Sequence, residues 1–130
     1  MPSHTLIGTP LSTFTRTVAL ALHYKNLPFK QVDAKWHGSV AKAHHPFGFV
    51  PTLVIHGDDG TDVKLCESQA IARYIDRVAP GPSLHALELA VPEKMWELVS
   101  LIASFGGPSS ALASPRRSLY SQVFHALSME

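Results

Sequence analysis

At 130 residues the chain has room for one domain and a fragment of a second. An apolar content of 45% suffices for a globular core, and a formal net charge of +1 gives no electrostatic case for nucleic acid or an anionic membrane surface. A single cysteine, Cys66, excludes an internal disulfide framework, and no stretch approaches the ~18–20 apolar residues of a membrane span. The opening Met1-Pro2-Ser3-His4 lacks the basic and apolar regions of a secretory leader, so a soluble cytoplasmic protein is expected.

Thr5-Leu6-Ile7-Gly8 is a short apolar run closed by Gly8-Thr9-Pro10, a first strand and its exit turn. Ser12 then precedes Phe14, Val18, Ala21 and Leu22, which are spaced as one helix face, and its hydroxyl suits the N-cap. That helix should end near Asn26, because Pro28 pushes Leu27 out of helical geometry. Phe29 to Asp33 alternates as a short second strand. Ala34 to His45 has no clean period, and a short irregular helix is expected around Ser39 to Ala43.

The pattern sharpens at Thr52. Thr52 to His56 reads as a strand, Gly57-Asp58-Asp59-Gly60 as a tight turn, and Val63 to Cys66 as the return strand of a hairpin. Val50-Pro51 stands at the mouth of this hairpin, where a proline has no N–H to give the ladder. Ile71, Tyr74, Ile75 and Val78 mark the next helix face, with Ser68 in the N-cap position and Pro80-Gly81-Pro82 as the stop.

The order is thus β-α-β, a linking segment, then β-β-α. Two parallel strands joined by a crossover helix, with a hairpin extending the sheet, make an α/β domain of the thioredoxin-like fold. Beyond Ser83, Met95, Leu98, Val99, Ile102 and Phe105 form a helical stripe with Pro92 suited to the first turn. Gly106-Gly107-Pro108-Ser109-Ser110 breaks it, the run to Ser118 reads as linker, and Leu119, Val123, Phe124 and Leu127 are spaced for a last short helix. Residues 1–83 form the expected α/β domain, and residues 84–130 a linker, one helix and an irregular tail.

Three pieces carry a family resemblance: Pro10-Leu11-Ser12-Thr13, Pro46-Phe47-Gly48-Phe49-Val50-Pro51, and Glu67-Ser68-Gln69-Ala70-Ile71 followed by Arg73-Tyr74-Ile75. Each alone is unspecific. Together, at this spacing, they resemble the N-terminal domain of cytosolic glutathione transferases, in particular the serine-type phi class, from about Leu6 to Val78. The resemblance implies conjugation of the glutathione thiolate to hydrophobic electrophiles, with glutathione as co-substrate and no further cofactor. Detoxification in the cytoplasm is the role it implies.

The roles implied are specific. Ser12 would donate a hydrogen bond to the glutathione sulfur and would not itself attack, since no activating base stands near it in sequence. Thr13 is the competing hydroxyl, and a plain N-cap is the structural alternative for Ser12. Val50 would pair its backbone with the glutathione cysteine, aimed by a cis Pro51; a trans proline opening a strand is the alternative. Glu67 would meet the ammonium, and Ser68 a carboxylate at the helix N-terminus, where free N–H groups converge. Surface charge and cap are the bland readings of that pair.

His37 is the first choice for the glycine carboxylate, ahead of Lys35 and Lys42. Phe49 departs from the pattern, standing where the phi class has a glutamine whose amide helps hold the tripeptide. His44-His45 has no further ligand at metal-binding spacing, so no metal site is expected, and Cys66 reads as a buried small hydrophobe.

Full family members continue into a long helical domain that supplies most of the electrophile pocket and much of the dimer interface. Ser83 to Phe105 resembles its linker and first helix, with no similarity beyond Gly106. A truncated chain, weak conjugation and a weakened homodimer are therefore expected. The alternative is a non-catalytic glutathione-binding or protein-interaction module with the same fold.

Overall fold

The alternation of side chains along four short strands builds a mixed sheet in order β2-β1-β3-β4, from β1 (Ser3–Ile7), β2 (Lys30–Val32), β3 (Thr52–His56) and β4 (Asp62–Cys66). The computed structural model describes residues 2–85 and 90–105. The chain divides into two units, Met1–Leu84 and His85–Glu130. The sheet belongs to the first, with helices α1 (Thr13–Tyr24), α2 (Ser39–His44) and α3 (Ser68–Val78). This is the thioredoxin-like α/β fold: β1 and β2 run parallel across α1, and β3 and β4 join antiparallel.

The two sheet faces are covered differently. Leu6 and Leu53 point to one face and pack with Val18 and Leu22 of α1 and Ile71 and Ile75 of α3. Ile7 and Val54, one residue along, point to the other and pack with Ala34, Val32 and Val50. Each fully buried Leu or Ile on the first face contributes about 1.5–3 kcal/mol relative to exposure. The segment between β2 and β3 is therefore held to the sheet by a small cluster, the helical side by a large one.

Several boundaries shift for physical reasons. β1 starts at Ser3 rather than Thr5, because Ser3 and His4 find partners in His56 and Ile55. α1 ends in a Schellman turn: Asn26 takes φ 52°, and the N–H groups of Leu27 and Asn26 bond the carbonyls of Leu22 and His23 at 2.9 and 3.0 Å. At α3 the N-cap is Glu67, not Ser68, and Ser68 is the first helical residue. α2 extends one residue past the expected end, to His44.

In the second unit, α4 (Glu93–Phe105) starts just after Pro92, whose carbonyl accepts from the N–H of Met95 at 3.2 Å. His85 and Trp96 bring their rings to 5.6 Å within this unit. The expected helix at Leu119, Val123, Phe124 and Leu127 lies outside the described residues.

Candidate glutathione site at one end of the sheet

Strand register decides which loops meet. Ile7 is paired on one side with Val32 and on the other with Thr52, and Thr52 is paired with Cys66. These four residues form a row across one end of the sheet. Gly8 to Ser12, Asp33 to His37, Val50-Pro51 and Glu67-Ser68 therefore all leave or enter at that end. With strands about 4.8 Å apart, the exits of β1 and β4 stand roughly 10 Å apart on either side of the β3 entrance, a span suited to an extended tripeptide.

Ser12 is half-buried in the N-cap position of α1, with φ −75° and ψ 125°, and its Oγ accepts from the Thr15 N–H at 3.3 Å. Capping uses the oxygen as acceptor, so the hydroxyl proton stays available to donate. Cap and donor are compatible roles. Thr13 lies exposed in the first turn.

The Val50–Pro51 peptide is cis. The Val50 side chain is half-buried in the Ile7, Ala34 and Val54 cluster, and among the described residues its N–H and C=O take no backbone partner. Those two groups are the donor and acceptor a strand-like ligand needs.

Glu67 holds φ 69° and ψ 118°, in the left-handed half of backbone space where a non-glycine residue is strained. Its carboxylate is 78% exposed and makes no capping bond. The first N–H groups of α3 thus keep no side-chain cap, and Ser68 sits half-buried at their head.

His37, also at positive φ (60°), is exposed, donates its backbone N–H to the Gly48 carbonyl and stacks its ring 4.9 Å from Phe49. Gly48 has φ +70°, and a Cβ there would lie 3.1 Å from Lys42 Cγ and 3.3 Å from His37 Cα. His37 and Lys42 are therefore both beside the loop that leads into Val50. Phe49 is 50% exposed and lies between the rings of His37 and His45.

Two arrangements at this end of the sheet were missed by sequence reasoning. His45 is buried, with Nδ1 accepting the Phe47 N–H at 3.0 Å and Nε2 3.7 Å from Glu67 Oε1. Cys66, half-buried rather than buried, places Sγ 3.7 Å from Thr52 Oγ1 and 3.8 Å from the His44 carbonyl, tying β4 to the end of α2.

At the opposite end of the sheet, Asp62, His56 and Thr5 form a hydrogen-bonded series of 2.8 and 2.9 Å. That order matches an acid–base–hydroxyl relay. β1 is paired on both sides, however, so its N–H groups are committed to the ladder and do not offer an oxyanion hole. The series is a cross-strand polar network. Among the described residues no group of His, Cys, Asp and Glu is placed to hold a metal ion, and no helix is long and apolar enough to cross a membrane.

Comparison with known proteins agrees with the fold. Residues 6–83 match the family described as "Glutathione S-transferase, N-terminal domain". Glutathione S-transferase F7 of Arabidopsis thaliana is 43% identical over 75 residues, 54% of this chain and 34% of the relative. The chain therefore spans about a third of the length of that relative. Among solved structures, FzlA from C. crescentus superposes with a TM-score of 0.69 at 26% identity, covering 78% of this chain and 45% of that one. A glutathione transferase homolog from sulfitobacter, solved with bound glutathione, gives a TM-score of 0.64 at 25% identity over 95% of this chain and 64% of that one. With the family match covering residues 6–83 and plant phi-class enzymes among its relatives, this chain belongs to the glutathione S-transferase family through its N-terminal domain.

Proposed function

We propose that the chain binds glutathione across the aligned end of its sheet and, with Ser12, holds the thiol as a thiolate for transfer to an electrophilic small molecule. The observation carrying this reading is the register of Ile7, Thr52 and Cys66. It gathers a free hydroxyl, an unpaired strand-like backbone, a carboxylate and an uncapped helix N-terminus along one edge.

Each group answers one part of the tripeptide. Glu67 meets the ammonium in a charge-assisted contact, and Ser68 with the first turn of α3 takes the adjacent carboxylate. Val50 pairs with the cysteinyl backbone through its N–H and C=O, and Pro51 sets the direction of that strand edge. The glycine carboxylate falls to His37, with Lys42 next to it.

The chemistry is a matter of ionisation. A free thiol has a pKa of about 8.5, so only a few per cent is thiolate at neutral pH. A hydroxyl donating to the sulfur near the start of α1 favours the charged form, and each pK unit gained is worth about 1.4 kcal/mol. The thiolate then attacks the electrophile, and the leaving group departs with its electron pair. Conjugation in the cytoplasm as a detoxifying step, and assembly as a homodimer, belong to this reading.

A second reading is a glutathione-binding or protein-interaction module without turnover. It is favoured by the apolar rim around the site, where Leu11 is 87%, Phe47 74% and Trp36 59% exposed. Such a rim suits a protein surface as well as an aromatic substrate. Retention on glutathione-agarose, with a chlorodinitrobenzene assay on the unmodified chain and Ser12→Ala, separates the two. Turnover lost in Ser12→Ala supports the enzyme, and retention without turnover supports the module. No retention removes both glutathione readings and leaves the protein-interaction module.

A further inference from the structure

We propose that His45 is a positioning residue for Glu67, holding one carboxylate oxygen from the buried side so that the other is presented to the glutathione ammonium. This rests on the reading of Glu67 as the ammonium partner. It adds a residue to which the resemblance gave no role.

A backbone hydrogen bond selects the His45 tautomer. Nδ1 of His45 accepts the Phe47 N–H at 3.0 Å, which places the neutral ring's proton on Nε2. That nitrogen faces Glu67 Oε1 at 3.7 Å, too long for a direct hydrogen bond and within reach of charge–dipole attraction. The ring has little freedom to turn away. It is 5% exposed, Phe49 meets it edge-on at 5.7 Å and 90°, and Phe47 lies 6.2 Å off.

Glu67 needs such a hold. Its side chain is 78% exposed, it caps nothing, and its backbone is at φ 69°. A carboxylate in that setting samples several rotamers, and each wrong one weakens an ammonium contact. His45 restricts it from behind. Through the Phe47 N–H the same ring also grips the loop running into Val50, so one imidazole links the two halves of the site.

Phe49 then has a function beyond its missing amide. It packs edge-on against the His45 ring and limits its rotation.

The test compares binding of glutathione with binding of its analogue lacking the γ-glutamyl amino group, by calorimetry on the full chain. Three variants are used. His45→Asn keeps an acceptor for the Phe47 N–H but has no donor reaching Glu67. His45→Gln reaches toward Glu67 with its amide N–H. Glu67→Gln removes the charge to be positioned.

The expected result is a Kd for glutathione raised about tenfold in His45→Asn, the scale of one charge-assisted contact, and partly restored in His45→Gln. The analogue should bind unmodified chain and His45→Asn alike. In the Glu67→Gln background His45→Asn should add nothing. Equal weakening of both ligands, or an undiminished effect in the Glu67→Gln background, assigns His45 to loop packing and overturns the inference while glutathione binding stands. Failure of the unmodified chain to bind glutathione overturns the underlying reading and the inference with it.

Discussion

Ser12 is where capping and chemistry share one atom, and the two can be separated by substitution. Ser12→Ala removes both the Thr15 N–H acceptor and the hydroxyl proton. Ser12→Asp restores a strong N-cap but has no proton to give a thiolate. Stability should therefore fall by about 1 kcal/mol in Ser12→Ala and recover in Ser12→Asp, read by urea unfolding. Conjugation should fall about 100-fold or more in both, the scale of one lost donor to a developing anion. Recovery of activity in Ser12→Asp would refute donation by this hydroxyl. Gly48 offers a second residue-scale test. At φ +70°, with Lys42 Cγ 3.1 Å from where a Cβ would stand, Gly48→Ala should cost about 1–2 kcal/mol of stability. Because the loop feeds Val50, glutathione affinity should drop with it; an unchanged denaturation midpoint would show that the loop has another conformation open to it.

Between elements, a buried ion pair holds the helical layer together. Lys25 follows α1 and extends its Nζ to Asp76 Oδ1 of α3 at 2.9 Å, with side chains 1% and 13% exposed. Asp76 also accepts from the Ser83 hydroxyl and the Leu84 N–H, both at 2.8 Å, so one carboxylate joins α1, α3 and the segment after Pro82. Asp76→Asn keeps the shape and leaves a buried ammonium without its counter-charge, which should cost about 3–5 kcal/mol. A double substitution, Lys25→Met with Asp76→Asn, should recover part of the loss in thermal unfolding, since an unpaired charge is worse than none. No recovery would place the effect in the lost Ser83 and Leu84 bonds instead. Neither residue stood out in the sequence, because a pairing 51 positions apart depends on how α1 and α3 pack and not on any local period.

Across the whole molecule, what was legible followed from short-range rules. Thr52 to His56 and its return strand carry their own turn, whereas Ser12, Val50-Pro51 and Glu67-Ser68 were linked only through the family resemblance, and the strand register brings them to one edge. The N-cap of α3 was displaced to Glu67 because a glutamate at φ 69° is a tertiary outcome that no propensity favours. The His45–Glu67 contact escaped notice for the same reason: its two residues lie on different elements. So did His4, which sets how the fold should answer to acid. It is buried on β1, with Nε2 2.9 Å from the Tyr74 hydroxyl of α3, the Pro28 carbonyl on the loop before β2 and His56 of β3 nearby. Burial holds its pKa below the ordinary 6.5; the Pro28 carbonyl offsets part of this, and the charge of His56 adds to it. A depressed imidazole means that, below about pH 6.5, the unfolded chain takes up a proton the folded chain refuses, so stability falls as pH drops through this range and is fully present above it. Urea midpoints measured from pH 7.5 down to 5 should decline, and His4→Gln, which keeps an N–H toward Tyr74 without a titrating ring, should flatten that decline. An equally steep decline in His4→Gln would refute His4 as the source of the acid sensitivity.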